Sequence, residues 1–91
     1  MKAVLFYEIA PGKTREDAMA IYPRHEAHLN AFIARKEILA IGPFADPQKD
    51  GSMGIFKDRT CAEAFVQQDP FILEGLVGKY TIRDWNESLL G

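Results

Sequence analysis

At 91 residues, 47% of them hydrophobic, the chain has the length of one domain with one core. A domain this small buries only slightly more than about 60% of the surface its unfolded chain exposes, so it gains from a partner subunit. The net charge of −2, with the 11 Lys and Arg residues scattered and never in a run, argues against nucleic acid and an anionic membrane surface as partners, and the single cysteine, Cys61, rules out an internal disulfide and fits a reducing compartment.

Residues 2–9 (KAVLFYEI) form an almost unbroken apolar, β-favouring run, read as a first strand whose two faces both need covering. The apolar stretch from Met1 to Ile9 is shorter than a signal-peptide core and meets a turn at Pro11-Gly12, so the chain is expected to be soluble and cytoplasmic. Thr14 and Asp17 look like the capped start of a helix, which Pro23 is expected to break or kink. From Arg24 to Lys36 the spacing is helical, with His25, Leu29, Phe32 and Ile33 on one apolar stripe and His28 at its edge. A second strand, Ile38 to Ile41, stops at Gly42-Pro43. Turn residues from Phe44 to Gly51 predict a hairpin, with Ser52 to Lys57 returning antiparallel.

Thr60-Cys61-Ala62-Glu63 reads as a capping box opening a helix through Gln68, because the residue before Pro70 is pushed out of the helical region. Asp69 then stands at the helix exit. A turn from Phe71 to Leu76 leads past Gly78 into a last strand, Tyr80 to Trp85. The order strand, helix, strand, strand, helix, strand predicts an α+β domain of the split βαβ, ferredoxin-like kind. Helices in that arrangement cover one face of the sheet. Val4, Phe6, Leu39 and Ile41 leave little room for a wet opposite face, so a dimer with sheet packed on sheet is expected.

Two ionisable residues stand out. His25 points inward, where a histidine needs a polar partner, and Asp69, held at a helix end beside a proline, is placed to lean across a cleft towards it. Each also has a plainer reading: a lone inward histidine is more often a satisfied core residue than a catalyst, and Asp-Pro commonly starts a turn. The segment His25-Glu26-Ala27-His28 falls one residue short of the zinc motif HExxH, and with no further Cys or His to complete a typical site no metal is expected. His28 is read as a rim residue, either contacting substrate or simply exposed. Ser52 is a candidate hydrogen-bond donor to a ligand, while Tyr7, Phe44, Phe71 and Trp85 would suit either an aromatic wall or the core. Cys61, in a capping turn, is read as structural, though a helix start lowers a thiol's pKa and would make it reactive. No GxGxxG or GxxxxGK run exists, so no nucleotide cofactor is indicated.

Taken in order, YPRHEAHL (Tyr22–Leu29), AIGPF (Ala40–Phe44), GSMGIF (Gly51–Phe56) and QDPFILEGL (Gln68–Leu76), followed by a strand ending in Trp85, resemble the YCII-related (YciI-like) family over nearly the whole chain. The resemblance implies a dimeric α+β barrel of ferredoxin-like subunits and a His-Asp pair in a cleft, here His25 and Asp69, with Gly42-Pro43 as one wall. One branch of that family is associated with dehydrochlorination of chlorinated hydroxyquinols. Tyr22 and Glu26 stand where members often carry other residues.

The chemistry open to such a pair is proton transfer. An imidazole takes or gives a proton near neutral pH, and a carboxylate on its second nitrogen fixes the tautomer and stabilises the imidazolium. With no nucleophile-elbow motif, the expected reactions are elimination or isomerisation of a small cyclic or aromatic-derived metabolite, without a cofactor. A non-catalytic ligand-binding domain is the alternative, and a purely structural dimerisation module a third.

Overall fold

The computed structural model describes residues 1–90. A four-stranded antiparallel sheet is ordered β2-β3-β1-β4, built from β1 (Lys2–Ile9), β2 (Ile38–Pro43), β3 (Ser52–Phe56) and β4 (Val77–Trp85). The two central strands are thus β1 and β3, the first strand of each split βαβ half. Helices α1 (Arg15–Ala34) and α3 (Arg59–Gln68) provide the two crossovers, and short helical turns α2 (Pro47–Asp50) and α4 (Pro70–Leu73) sit in the connections before β3 and β4.

Alternation along β1 sorts its side chains. Ala3, Leu5 and Tyr7 face the helices and join Phe32, Phe56, Phe65 and Val66 in the core, where fully burying each large apolar side chain stabilises the fold by about 1.5–3 kcal/mol. Val4 and Phe6 face the other way, opposite Ile55 and Met53 of β3. Ile41 was expected on that open face. The register shift between Ile38 and Ala40 puts it instead beside Gly54, on the helix side, where it packs against the core.

Helix α1 is not broken at Pro23, one of the two outcomes expected there, but runs on from its Thr14 cap, where Thr14 and Asp17 form a capping box. Proline in a helix interior costs about 3 kcal/mol through the missing N–H and the clash with the carbonyl four residues back. Packing on both sides opposes that cost: Ile21, His25, Leu29 and Phe32, spaced four, four and three, are all buried on one stripe. Ile33, also expected on the stripe, is half exposed.

The predicted capping box at Thr60 also yields to an earlier start. Asp58 caps α3, its carboxylate accepting the Cys61 backbone N–H at 2.9 Å. An aspartate caps as well as a threonine, and starting the helix directly after β3 turns Ala62, Phe65 and Val66 into the core. Burial, then hydrogen bonds to Asp58 and Glu37, push the Cys61 thiol up to about 11, so the reactive-thiol option is set aside. Strand β4 begins at Val77, three residues before its expected start at Tyr80, because Val77 and Lys79 already pair with Ile9 and Glu8.

Candidate active site

The sequence Asp69-Pro70-Phe71 builds half of the site. Pro70 holds Asp69 in an extended conformation (φ −71°, ψ 118°), ending α3, and serves as the first residue of α4. The freed N–H of Phe71 then donates to Asp69 Oδ1 at 3.1 Å. One residue further, the Phe71 ring lies flat on the His25 imidazole, with centroids 3.9 Å apart and planes 11° apart.

Helix α1 and strand β1 supply the other half. His25 is 5% exposed and Asp69 fully buried. His25 Nδ1 is 2.7 Å from Asp69 Oδ1, and the Tyr7 hydroxyl donates to Oδ2 at 2.5 Å. The carboxylate thus faces three donors, which is how a buried charge is tolerated without a cation of full charge beside it. Because an ionised carboxylate only accepts, Nδ1 carries the hydrogen and Nε2 is left as the free acceptor. Burial, followed by the adjacent Asp69 charge, pushes the Tyr7 phenol far above its ordinary range, so Tyr7 stays a donor. Phe65 meets the imidazole edge-on at 6.1 Å.

A cavity of about 370 Å³ opens over this group. His25, Phe71 and Tyr22 line it from the helices, and from the sheet come Tyr7, its cross-strand partner Ser52 at the start of β3, and Ser52's other partner Pro43, with Gly42, at the end of β2. Apolar side chains such as Ile9, Leu76 and Val77 complete most of the remaining surface. Six of the sequence-selected residues, Tyr7, His25, Gly42, Pro43, Ser52 and Phe71, therefore share one cavity, with Asp69 directly behind the imidazole.

His28 does not. Its Nε2 lies 2.9 Å from the Phe65 carbonyl and its ring packs on Phe65 and Phe32, outside the cavity lining. A carbonyl only accepts, so His28 carries its hydrogen on Nε2, the opposite tautomer to His25. The two histidines, one helical turn apart, are each committed to a different partner, and among the described residues no three potential ligands converge on a metal position. Phe44 and Trp85 lie outside the cavity as well, with Tyr22 as the aromatic residue in their place. The bond from Tyr7 to Asp69 was missed by sequence reasoning; its signal was a tyrosine on the inward side of a buried strand, whose hydroxyl must find a partner.

An antiparallel split-βαβ domain with a buried carboxylate bonded to an imidazole at the wall of a mostly apolar cavity defines a class of small α+β proteins. The YCII-related domain model matches residues 1–86, and the chain belongs to that family. Among solved structures it is similar to 5-chloro-2-hydroxyhydroquinone dehydrochlorinase (TftG) from Burkholderia phenoliruptrix AC1100, determined in complex with 2,5-dihydroxybenzoquinone, at 25% identity over 97% of this chain and 96% of that one, with a TM-score of 0.75. It shares the fold of At3g17210 from Arabidopsis thaliana, at 14% identity over 99% and 97% of the two chains and a TM-score of 0.54. Among curated proteins there is no significant match.

Proposed function

We propose that this protein is a small, cytoplasmic, cofactor-independent enzyme that uses His25 as acid/base and Asp69 as its orienting partner to carry out elimination or isomerisation on a small hydroxylated ring. The observation that carries the reading is the His25–Asp69 contact: Nδ1 is fixed on a buried carboxylate, and Nε2 is left for a ligand in the cavity. The similarity to a dehydrochlorinase supports elimination of hydrogen chloride from a chlorinated hydroxyquinol as the first reaction to test. Tyr7, Ser52, Gly42, Pro43 and Phe71 are the proposed substrate contacts.

For such a substrate the atoms balance with one acid/base. His25 Nε2 takes the proton of a ring hydroxyl and returns a proton to the ring carbon bearing chlorine, giving the keto tautomer. It then takes the proton of a second, conjugated hydroxyl; the electron pair moves through the ring and chloride leaves. The products are a quinone, chloride and a proton. Departure of chloride itself oxidises the ring, so no outside oxidant enters. Asp69 stabilises the imidazolium formed in each transfer, and the stacked Phe71 keeps the ring plane fixed.

A homodimer is the proposed working unit. The face of the sheet away from the helices carries Phe6, Met53 and Ile55, half-buried apolar residues that a second sheet would cover, around the already buried Val4. The test of the activity is chloride release from 5-chloro-2-hydroxyhydroquinone and from unchlorinated controls, by wild type and His25→Gln. Wild type is expected to release chloride, and His25→Gln to be slower by at least about 100-fold with its circular dichroism unchanged. Equal rates in the two proteins contradict the assigned role. Binding of the ring by wild type with no turnover of any member favours the ligand-binding alternative.

A further inference from the structure

The wall of the cavity contains one fully charged side chain, Arg15, and no carboxylate. Arg15 is the first residue of α1, at the mouth, and among the described residues it forms no ion pair, unlike Arg24, Arg35 and Arg59, which all do. The acids nearest in sequence are turned elsewhere. Asp17 accepts from the Thr14 backbone N–H and hydroxyl, and Glu16, about 100° further round the helix, is not part of the wall.

The backbone around Arg15 is pinned. With its amide oriented to satisfy both neighbours, Gln48 donates to the Lys13 carbonyl at 2.9 Å and accepts the Arg15 backbone N–H at 3.1 Å, tying the α2 turn to the start of α1. Pro47 and Gln48 line the mouth beside Arg15. Arg15 therefore stands on a fixed backbone at the wall of a cavity that is apolar over most of its surface, with an exposed side chain long enough to reach a ligand there, and a charge-assisted hydrogen bond to an anion is about twice as strong as a neutral one. Phe71 and the half-exposed Tyr22 offer flat aromatic surface on the same cavity.

We propose that Arg15 makes this cavity select planar rings bearing an anionic oxygen, a carboxylate or an ionised ring hydroxyl, over neutral rings of the same size. This rests on the reading of the cavity as the ligand site and names the charge of its ligand. Arg15 binds the anionic edge and the aromatic side holds the ring face, which presents the opposite edge to His25 Nε2.

The test measures binding rather than turnover, by amide chemical-shift titration with 2,5-dihydroxybenzoate and its neutral methyl ester. The proteins are wild type, Arg15→Gln, Arg15→Lys and His25→Gln. Wild type is expected to bind the carboxylate at least about tenfold more tightly than the ester, with the gap narrowing as salt is raised. Arg15→Gln should lose the preference while its ester affinity is unchanged, and Arg15→Lys should keep part of it. His25→Gln should keep the preference, which separates this inference from the acid/base reading: chloride release can fail while the anion preference stands. Equal wild-type affinities for the two probes, no binding of either, or equal weakening of both in Arg15→Gln overturns the proposal.

Discussion

Removing the hydroxyl of Tyr7 isolates one of the three donors on Asp69. Tyr7→Phe keeps the ring where it packs and deletes only the oxygen, so the principal change is that a fully buried carboxylate loses its 2.5 Å partner. A hydrogen bond to a charged group contributes about 1.5–3 kcal/mol, so the variant is expected to be about 2 kcal/mol less stable at neutral pH. For a domain of this size that corresponds to a fall in Tm of about 8–16 °C.

The pH dependence gives a second reading of Tyr7, of its burial first and of its place beside Asp69 second. In the folded protein Tyr7 is held neutral by burial and by Asp69, whereas the unfolded tyrosine ionises around its ordinary 10.0. Its contribution is therefore fully present below pH 10 and is lost as the pH rises, because only the unfolded chain releases that proton. Above pH 10 wild type should lose about 1.4 kcal/mol per pH unit more than Tyr7→Phe, bringing the two stabilities together at about pH 11–12. Urea unfolding of both proteins from pH 7 to 11.5 measures this. A neutral-pH difference below about 0.5 kcal/mol, with parallel alkaline slopes, refutes the claim that Tyr7 helps hold the buried charge.

Two further outcomes follow from the same geometry. Gly51 has φ 72°, and a Cβ there would run into the Tyr7 carbonyl, so Gly51→Ala must displace either the hairpin or the strand that carries Tyr7. It is expected to lower stability by more than the roughly 1 kcal/mol of an average substitution, measured by urea unfolding, and a neutral effect contradicts the close approach. Cys61, pushed from its ordinary 9.0 to about 11, should react with iodoacetamide near pH 8 about 100-fold more slowly than a free cysteine, since two pH units separate the thiolate populations. A rate matching free cysteine refutes the raised thiol and with it the parts given to burial, Asp58 and Glu37.

Local patterns that do not depend on distant contacts were legible in the sequence. The β1 run, the Gly-Pro stop and the Asp-Pro stop each follow from backbone sterics, and the element order they mark out is the order found. A break in helix α1 at Pro23 does not occur, because the penalty is local while the packing that offsets it comes from α4, α3 and β2. The start of α3 was misjudged because Asp58 and Thr60 are both competent caps, and only the core decides which start turns Phe65 inward.

At the site, His25 and Asp69 were visible as an inward histidine and an acid trapped beside a proline. His28 was misplaced because a stripe's edge does not reveal what the neighbouring helix offers, here the Phe65 carbonyl. Tyr7, read as either wall or core, belongs to the core and also lines the cavity, but its bond to Asp69 depends on β1 and the end of α3 meeting across 62 residues of chain. Arg15 and Gln48 lie in stretches that read as a helix start and a hairpin loop, and nothing local says that the two face the same cavity.

The central claim is that Asp69 holds His25 with Nδ1 protonated and Nε2 ready for a ring in the cavity. The measurement that meets it most directly is the imidazole ¹⁵N spectrum of wild type and Asp69→Asn, each with and without 2,5-dihydroxybenzoquinone. The account predicts that wild-type His25 is the Nδ1–H tautomer and His28 the Nε2–H tautomer, that the quinone shifts the His25 Nε2 resonance alone, and that Asp69→Asn mixes the His25 tautomers. A wild-type His25 in the Nε2–H form, or one whose spectrum ignores both the quinone and the Asp69 substitution, would contradict it.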